Sequence, residues 1–552
     1  MVERRDESRG VDRRSVLAGG AAAAASAALG GIGGAATGGT TAAGAPGHGE
    51  FELAERSLAD LARGLELRRW SSEQLVELYL ERIAAVDRGP EGTNAIAELN
   101  PDAPAIAAER DRERRAGRVR GPLHGIPIVV KDNIDTGDRM RTTAGSLALA
   151  ESIAARDAHV VERLREAGAV LLAKTNLSEW ANIRSSHSTS GWSGRGGQVR
   201  NPYALDRNPC GSSSGSGVAP STSLAAAAVG TETDGSVICP AAMCGIAGLK
   251  PTVGLVSRIG IVPIAHSQDT AGPMARSVDD VAILLGAMTG TDLRDPATAA
   301  SADRREGDYR RSFGPDALRG ARLGIVRDYF GWHEEITRQF PAVLDALREL
   351  GAELVDPVEL PHRRELGQAE WEVLLYELKH DLNLYLAGLP DGDQPRTLAE
   401  LIEWNRLHAE LEMPWFGQDS FEEAEAKGPL TDRKYEEALA NCRRLARDEL
   451  LDPLFGGEKP LDALVSPTTG PAFLVDWVNG DAYGGSITGP AAVAGYPHLT
   501  VPAGFVHGLP WGLSWLGPAW SEARLLAYGD AFERATGARR PPRFLPTLPL
   551  AG

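Results

Sequence analysis

A lysine and two serine-containing segments are the parts of this sequence whose residue types and spacing could carry nucleophilic chemistry. Lys131 ends the apolar run in PIVVKDN, residues 210–217 read CGSSSGSG, and residues 230–236 read GTETDGS. None of the 11 histidines lies between the two serine segments. Because a serine hydroxyl is a weak nucleophile until an adjacent base accepts its proton, a nucleophile here needs a base other than a nearby histidine.

Lys131 is a candidate for that base. A lysine at its ordinary pKa of about 10.4 is protonated at neutral pH and cannot accept a proton. Burial at the end of a sheet strand, behind Val129 and Val130, would lower the pKa towards neutrality because desolvation disfavours the charged form. The alternative is that a lysine after an apolar strand is the first solvated residue. We interpret Lys174, in the similar stretch LLAKTN, in this second way and predict a structural role for it.

The serine-rich segment also matches G-x-S-x-G, the turn that presents the nucleophile in α/β-hydrolases, with Ser213 at its centre. That turn requires a buried strand directly before it and a helix directly after it. The preceding residues, 207–210, read RNPC, a polar stretch that is interrupted by proline and makes a poor central strand. The sequence therefore argues against the hydrolase turn.

Three segments taken together, PIVVKDNID, CGSSSGSG and GTETDGS, resemble the amidase signature family of serine hydrolases. The resemblance is closest to bacterial peptide amidases of that family, and it extends from residue 71 to about residue 542. Four further stretches support it: GWSGRGGQVRNPY, GLKPTVGLVSR, QDTAGPMARSVDD and AGYPHLTVPAGF. Several long stretches in the same order make a stronger signal than any one of them alone.

The resemblance implies a catalytic triad of Lys131, Ser212 and Ser236, and the separation from 212 to 236 is the spacing that the family keeps. Ser236 would attack the substrate, Ser212 would relay the proton, and Lys131 would accept it. The resemblance also implies that the peptide bond between Gly211 and Ser212 is cis. It implies no metal and no organic cofactor.

The loop before Ser236 is the candidate oxyanion hole, formed by the backbone N–H groups of Thr233, Asp234 and Gly235. Such donors contribute on the order of 3 kcal/mol each to transition-state stabilisation. Many family members have two glycines before the nucleophile and an aspartate at the position of Glu232. Asp234 replaces the first of those glycines, as in the peptide-amidase branch, and this change bears on the loop's conformation and on substrate preference.

The composition favours a globular protein without a nucleic-acid partner. The chain has 552 residues, of which 43% are hydrophobic and 24% charged, and its net charge is −17. A nucleic-acid partner would require a basic surface, and the acidic balance of the chain argues against one. The four cysteines make neither a disulfide framework nor a zinc-site spacing, so Cys239 and Cys244 are interpreted as small buried thiols.

The first 46 residues have the composition of a leader peptide. Arg13 and Arg14 precede an alanine- and glycine-rich stretch that is too short and too weakly apolar for a membrane span. The paired arginines predict a cleavable twin-arginine signal and therefore an exported protein without a membrane anchor. The alternative for this segment is a disordered tail. Residues 47–552 would then form the mature amidase domain.

The pattern of residues 47–552 predicts an α/β fold, a single large domain with a mostly parallel or mixed central sheet covered by helices. Ser71 and Gln74 form a capping box before a helix. Strands are predicted at 126–130, 170–173, 323–326, 463–465, 498–505 and 511–516. Helices are predicted at 158–167, 218–229, 340–350 and 521–535.

The sequence therefore predicts an exported serine amidase that cleaves a carboxamide, with a small amide or a C-terminally amidated peptide as substrate. One alternative is the glutaminase-type subunit of a tRNA-dependent amidotransferase, against which the leader and the acidic balance argue. Another is a non-catalytic exported binding protein on the same fold, against which the complete Lys–Ser–Ser set argues.

Overall fold

The structure, a computed structural model, describes residues 51–329 and 333–549. The predicted leader at 1–46 lies outside the described residues. Within the described ranges, no helix has both the length and the apolar character needed to cross a membrane.

The strands are numbered here in chain order. They are β1 (Ile96–Leu99), β2 (Pro127–Lys131), β3 (Val170–Thr175), β4 (Trp192–Ser193), β5 (Gly197–Gln198), β6 (Ala227–Glu232), β7 (Ala247–Lys250), β8 (Thr270–Ala275), β9 (Arg322–Val326), β10 (Glu353–Val358), β11 (Ala463–Pro467), β12 (His498–Val506) and β13 (Leu509–Leu516).

Eleven of these strands form one sheet, in the order β1-β3-β2-β6-β8-β7-β12-β13-β11-β9-β10, and β4 pairs with β5 in a small separate sheet. In the large sheet β2 runs parallel to β3 and β6, and β9 runs parallel to β10 and β11. The other neighbouring strands are antiparallel. The predicted α/β fold with a mixed central sheet is confirmed.

Helices cover the sheet, and an additional group of them lies between β10 and β11 in the chain. The α-helices are α1 (Leu58–Glu66), α2 (Ser72–Val86), α3 (Ala103–Arg115), α4 (His159–Glu166), α5 (Ser214–Ser221), α6 (Ile238–Met243), α7 (Val278–Met288), α8 (Glu334–Glu349), α9 (Arg363–Ala387), α10 (Leu398–Leu407), α11 (Ala409–Glu412), α12 (Asp419–Glu425), α13 (Arg433–Arg443), α14 (Asp452–Gly456), α15 (Thr488–Ala494) and α16 (Glu522–Thr536). A π-helical segment, Arg444–Leu451, follows α13.

Local sequence signals explain several of these elements. The Ser71 hydroxyl accepts a hydrogen bond from the backbone N–H of Gln74, and the Gln74 side chain accepts one from the N–H of Ser71, which confirms the capping box at the start of α2. The middle strands β2, β3 and β6 are buried at every residue. Strands covered on both faces are typically continuous apolar runs, and these three contain the runs IVV, VLLA and AAV.

The predicted helix at 218–229 is wrong in its bounds. The helix α5 ends at Ser221, Ser223 turns the chain with a φ of 56°, and the strand β6 begins at Ala227. A run of alanine, valine and glycine carries no periodicity that separates a buried helix from a buried strand. Pairing of β6 between β2 and β8 decides the outcome, and that pairing is not visible in the local sequence.

The prediction that Lys174 is a solvated residue is also wrong. Its side chain is fully buried, and its Nζ donates to the carbonyl of Ile134 at 2.6 Å and to the Thr142 hydroxyl at 2.9 Å. In the β2/β3 register Lys174 lies opposite Val130, and Lys131 lies opposite Thr175. Because successive side chains of a strand point to opposite faces, the two lysines lie on opposite faces of the sheet. Lys174 keeps its predicted structural role, but from inside the protein.

We expect Lys174→Ala to lower the free energy of unfolding by about 3 kcal/mol, because it leaves a cavity and deprives two buried acceptors of their donor. Denaturant unfolding followed by circular dichroism measures this change. Folded Lys174→Ala protein should keep the wild-type pH dependence of its activity. An unfolding free energy within about 0.5 kcal/mol of wild type would contradict the structural role.

Candidate active site

The predicted catalytic lysine lies where two parallel strands end together. Lys131 is the last residue of β2, and Glu232 is the last residue of its parallel neighbour β6. The carboxyl ends of parallel strands meet at one edge of a sheet, and in open α/β sheets ligands bind at that edge. Ser212 reaches the same edge from the loop that precedes α5.

Lys131 is fully buried and hydrogen-bonded to both neighbouring segments. Its Nζ lies 2.7 Å from the hydroxyl oxygen of Ser212 and 2.9 Å from that of Thr231. Burial lowers the pKa of Lys131 to about 7, and the negative charges of Asp269 and Glu232 partly oppose that shift. Close to neutral pH, a substantial fraction of this side chain is therefore the neutral amine that can accept a proton.

The serine segment is held rigidly against the sheet. The peptide bond between Gly211 and Ser212 is cis, the geometry that the resemblance implies, and the Ser212 carbonyl accepts a hydrogen bond from the backbone N–H of Ser178 at 3.1 Å. The Ser213 hydroxyl donates to the carbonyl of Thr231 and accepts from its N–H, at 3.0 and 3.1 Å. Ser213 is fully buried, and no strand ends directly before it. The hydrolase turn is therefore absent at this position.

Two carboxylates fix the loop that carries Ser236. Glu232 accepts hydrogen bonds from the backbone N–H groups of Val237 and Ile238, at 2.7 and 3.0 Å, so it spans the loop from β6 to the start of α6. The Asp269 carboxylate accepts from the Thr233 hydroxyl at 2.6 Å. The N–H of Ser213 donates to the Ser236 carbonyl at 3.0 Å. This hydrogen bond joins the loop to residues 210–217, the segment that carries Ser212 and is called the relay segment below.

The predicted oxyanion-hole residues form the turn before Ser236. Gly235 has a φ of +76°, a conformation that a residue with a side chain rarely adopts. Within the described part of the chain, the backbone N–H groups of Thr233, Asp234 and Gly235 donate to no protein acceptor. These groups are therefore available to a ligand oxygen, as an oxyanion hole requires.

A cavity of about 390 Å³ opens over the loop and is lined by Gly211, Asp234, Gly235 and Ser236. Ser236 is 8% exposed, whereas Ser212 is fully buried. Trp371 and Leu374 of α9 also line the cavity. A ligand in the cavity can therefore reach the Ser236 hydroxyl but not that of Ser212.

Cys210 and Cys239 form a disulfide, with their Cα atoms 6.0 Å apart. The interpretation of Cys239 as a free thiol is therefore wrong, whereas Cys244 is a buried free thiol as predicted. A separation of 29 residues does not identify a partner, because the distance between two cysteines depends on the tertiary fold. Cys244 lies nearer to Cys239 in the sequence than Cys210 does, but Cys239 is bonded to Cys210.

His266, His380 and Asp381 are the group that could hold a metal ion among the described residues, with ligand atoms within 4.8 Å of one another. Asp381 accepts from the Nδ1 atoms of both histidines, at 2.9 and 2.8 Å. None of the three lines the cavity over Ser236. We therefore interpret the group as histidine–carboxylate pairs outside the candidate active site.

Comparison with known proteins identifies the family. A family model described as Amidase matches residues 74–526. The chain belongs to the amidase signature family. The crystal structure of the native peptide amidase from Stenotrophomonas maltophilia superposes with a TM-score of 0.84 at 50% identity, covering 90% of this chain and 99% of that chain.

Two other relatives extend the comparison. An amidase family protein from Bacillus anthracis superposes with a TM-score of 0.80 at 35% identity, covering 89% of this chain and 93% of that chain. The A subunit of glutamyl-tRNA(Gln) amidotransferase from Alkalilimnicola ehrlichii is 34% identical over 504 residues, covering 88% of this chain and 98% of that protein. The fold is thus shared by relatives that are named for different activities.

Several residues of this amidase site were missed by sequence reasoning. Thr231 binds the Nζ of Lys131, Asn133 donates to the Thr231 hydroxyl at 3.0 Å, and Asp269 holds Thr233. Thr231 and Asp269 belong to the quoted stretches GTETDGS and QDTAGPMARSVDD, so the motifs contained the signal. The carboxyl of Asp269, buried among these groups, has its pKa raised to about 6 by burial.

The pH dependence of activity should report on Lys131. Because the predicted triad requires the neutral amine of Lys131, we expect kcat/KM of the free enzyme to rise with pH through about 7 and then level off. Lys131→Ala should remove this rise together with most activity. Lys131→Arg should not restore it, because a guanidinium does not deprotonate in this range.

The matched control is Lys174→Met, which changes the buried lysine on the opposite face of the sheet and should keep the pH profile. Rates are measured under kcat/KM conditions with one amide substrate from about pH 5 to pH 10. An active Lys131→Arg enzyme with the wild-type profile would contradict the assignment of Lys131 as the base.

Proposed function

We propose that this amidase hydrolyses carboxamides through an acyl-enzyme on Ser236. The Ser236 oxygen attacks the carbonyl carbon while its proton passes to Ser212, whose own proton passes to the neutral Lys131. The protonated lysine returns the proton through Ser212 to the leaving nitrogen, the C–N bond breaks, and ammonia or an amine departs. Water then attacks the acyl-enzyme by the same proton path, which releases the carboxylic acid and free Ser236.

The contact between the Lys131 Nζ and the Ser212 hydroxyl, at 2.7 Å, is the observation that carries this proposal. It joins a base with a lowered pKa to a serine that lies next to the cavity but is itself closed to substrate. A buried hydroxyl in that position can transfer a proton but cannot attack a substrate, so Ser236 is the nucleophile of choice.

The charges around the cavity support a neutral amide as the substrate. The side chains that line it include Asp234 and Asp481 but, among the described residues, no lysine or arginine. Burial raises the pKa of both carboxyl groups, and burial and the charge of Asp234 raise the pKa of the nearby Glu370 to about 8, which favours neutral forms of these groups. A cavity without a lining cation offers no ion-pair partner to a carboxylate substrate, whereas it can admit a neutral carboxamide. Together with the relative described as a peptide amidase, this favours the C-terminal amide of a peptide.

The glutaminase-type subunit of a tRNA-dependent amidotransferase is the second candidate, because this chain matches nearly the whole length of a relative with that name. The net charge of −17 argues against a complex that acts on tRNA. A binding protein without activity is the third candidate. Labelling of Ser236 separates the first two candidates from the third.

Ser236→Ala should lower kcat by several orders of magnitude, because it removes the atom that carries the acyl group. A fluorophosphonate probe should label the wild-type protein, and mass spectrometry of the digest should place the adduct on Ser236. The matched control is Ser312→Ala, which changes an exposed serine remote from the cavity lining and should label normally. An adduct on Ser213 would contradict the assignment of the nucleophile.

A substrate panel tests the proposed specificity. Ammonia release should be faster from C-terminally amidated peptides than from free glutamine, and the matching peptide acids should bind weakly because the cavity lining offers their carboxylate no lysine or arginine among the described residues. The measurement is kcat/KM for each amide, with the peptide acid added as an inhibitor. A higher kcat/KM for glutamine than for every amidated peptide would instead favour the second candidate function, the glutaminase-type subunit of an amidotransferase.

We further propose that the chain is exported by the twin-arginine route. The disulfide between Cys210 and Cys239 supports this proposal, because disulfides persist mainly in oxidising compartments outside the cytoplasm. The double variant Arg13→Lys/Arg14→Lys should retain the protein in the cytoplasm. Arg4→Lys/Arg5→Lys, which changes another arginine pair of the leader, is the matched control and should be exported normally. Cell fractionation and the mature N-terminus measure the outcome, and normal export of the first variant would contradict the route.

A further inference from the structure

The Cys210–Cys239 disulfide lies between the two segments that carry the candidate catalytic serines. Cys210 directly precedes Gly211 and Ser212, and Cys239 follows Ser236 in the first turn of α6. Both cysteines line the cavity over Ser236. Besides the polypeptide backbone, the disulfide is thus a covalent connection between the relay segment and residues 230–239, the nucleophile segment that carries Ser236.

The backbone at Cys210 is held in an uncommon conformation. Its φ is +64°, in the left-handed region that residues with a side chain adopt only when the surroundings enforce it. The side chain of Asn208 accepts a hydrogen bond from the Cys210 N–H at 2.8 Å, and the Ser214 hydroxyl donates to the Cys210 carbonyl at 2.7 Å. The disulfide adds a covalent constraint on the same residue.

On the nucleophile side, two backbone hydrogen bonds link Ser236 and the turn before it to the relay segment and to Cys239. Within the described part of the chain, the N–H of Ser213 makes the hydrogen bond that connects the relay segment to Ser236, through the Ser236 carbonyl. The N–H of Cys239 donates to the carbonyl of Gly235 at 2.8 Å, so a shift of Cys239 is passed to the turn before Ser236. A displacement of about 1 Å between two reacting groups costs on the order of a hundredfold in rate.

We propose that the Cys210–Cys239 disulfide is a positioning element of the active site, so that the oxidised protein acylates Ser236 efficiently and the reduced protein does not. This inference rests on the proposed function. It makes the amidase sensitive to redox conditions, with the oxidised state matched to the exported location proposed above.

The Cys210–Cys239 bond is reduced and reoxidised by thiol–disulfide exchange. In reduction, an external dithiol supplies two electrons and two protons, the S–S bond becomes the thiols of Cys210 and Cys239, and the dithiol becomes a disulfide. Oxidation is the reverse exchange, with an external disulfide as the oxidant. The cavity gives small reagents access, because the two cysteines line it although each is at most 5% exposed.

The test compares oxidised and dithiothreitol-reduced wild-type protein at a temperature where both are folded by circular dichroism. Alkylation and intact mass report the number of free thiols. We expect reduction to lower the rate of Ser236 labelling by a fluorophosphonate, and kcat for an amidated peptide, by tenfold or more. KM should change less than kcat, and reoxidation by oxidised glutathione should restore both rates. A disulfide that contributes only to stability would leave these rates unchanged in folded protein.

Variants provide a second readout. Cys210→Ser/Cys239→Ser should label slowly with or without dithiothreitol, whereas Cys244→Ser/Cys442→Ser, which removes the two free thiols, should keep the wild-type response to reduction. If the first variant fails to fold, the reduced wild-type protein still decides the question. Equal labelling rates of oxidised and reduced wild type would overturn the inference while leaving the proposed function intact. No labelling and no turnover in the oxidised protein would contradict the proposed function, and the inference with it.

Discussion

Burial of the Lys131 amine is the constraint on which the rest of the site depends. An isolated ammonium group without water is costly, so a fully buried lysine must be paired, hydrogen-bonded or neutral. The protein combines the last two solutions: Ser212 and Thr231 hold the Nζ, and burial lowers its pKa to about 7. This requires a strand that ends in the interior, and the parallel pairing of β2 with β6 supplies one. The sheet therefore provides both the position of this candidate base and the low polarity that lowers its pKa.

The carboxylates around the nucleophile loop have two effects that oppose each other. Glu232 and Asp269 hold the ends of the loop through hydrogen bonds to Val237 and Thr233, which leaves the N–H groups between them available. Their negative charges also raise the pKa of Lys131, against the effect of burial. If neutral groups fixed the loop, the pKa of Lys131 would fall further and its amine would be a weaker base. With a pKa of about 7, the neutral amine and the ammonium form are both well populated near neutral pH, so the group is suited both to accept and to return a proton.

The sequence predicted the elements better than their boundaries. The capping box at Ser71 depends on residues three apart, so it could be identified locally and is present in the structure. The start of β6 and the burial of Lys174 depend on which strands are neighbours, and no local pattern contains that information. The relay segment and Lys131 come together as the family motifs implied. The Cys210–Cys239 pair could not be predicted, because a separation of 29 residues in the sequence does not show that two cysteines are neighbours in the fold.

Asp234 contributes both a backbone N–H and a carboxyl group to the cavity over Ser236. In the proposed function its N–H belongs to the group that would stabilise negative charge on the reacting oxygen, and such donors act only within hydrogen-bond distance. A charged carboxylate acts over a longer range, but burial raises the pKa of the Asp234 and Asp481 carboxyl groups and so favours their neutral forms. A glycine at position 234 would supply the N–H without the carboxyl group, so the side chain of Asp234 adds a titratable polar group to a loop whose backbone is already suited to bind an oxygen.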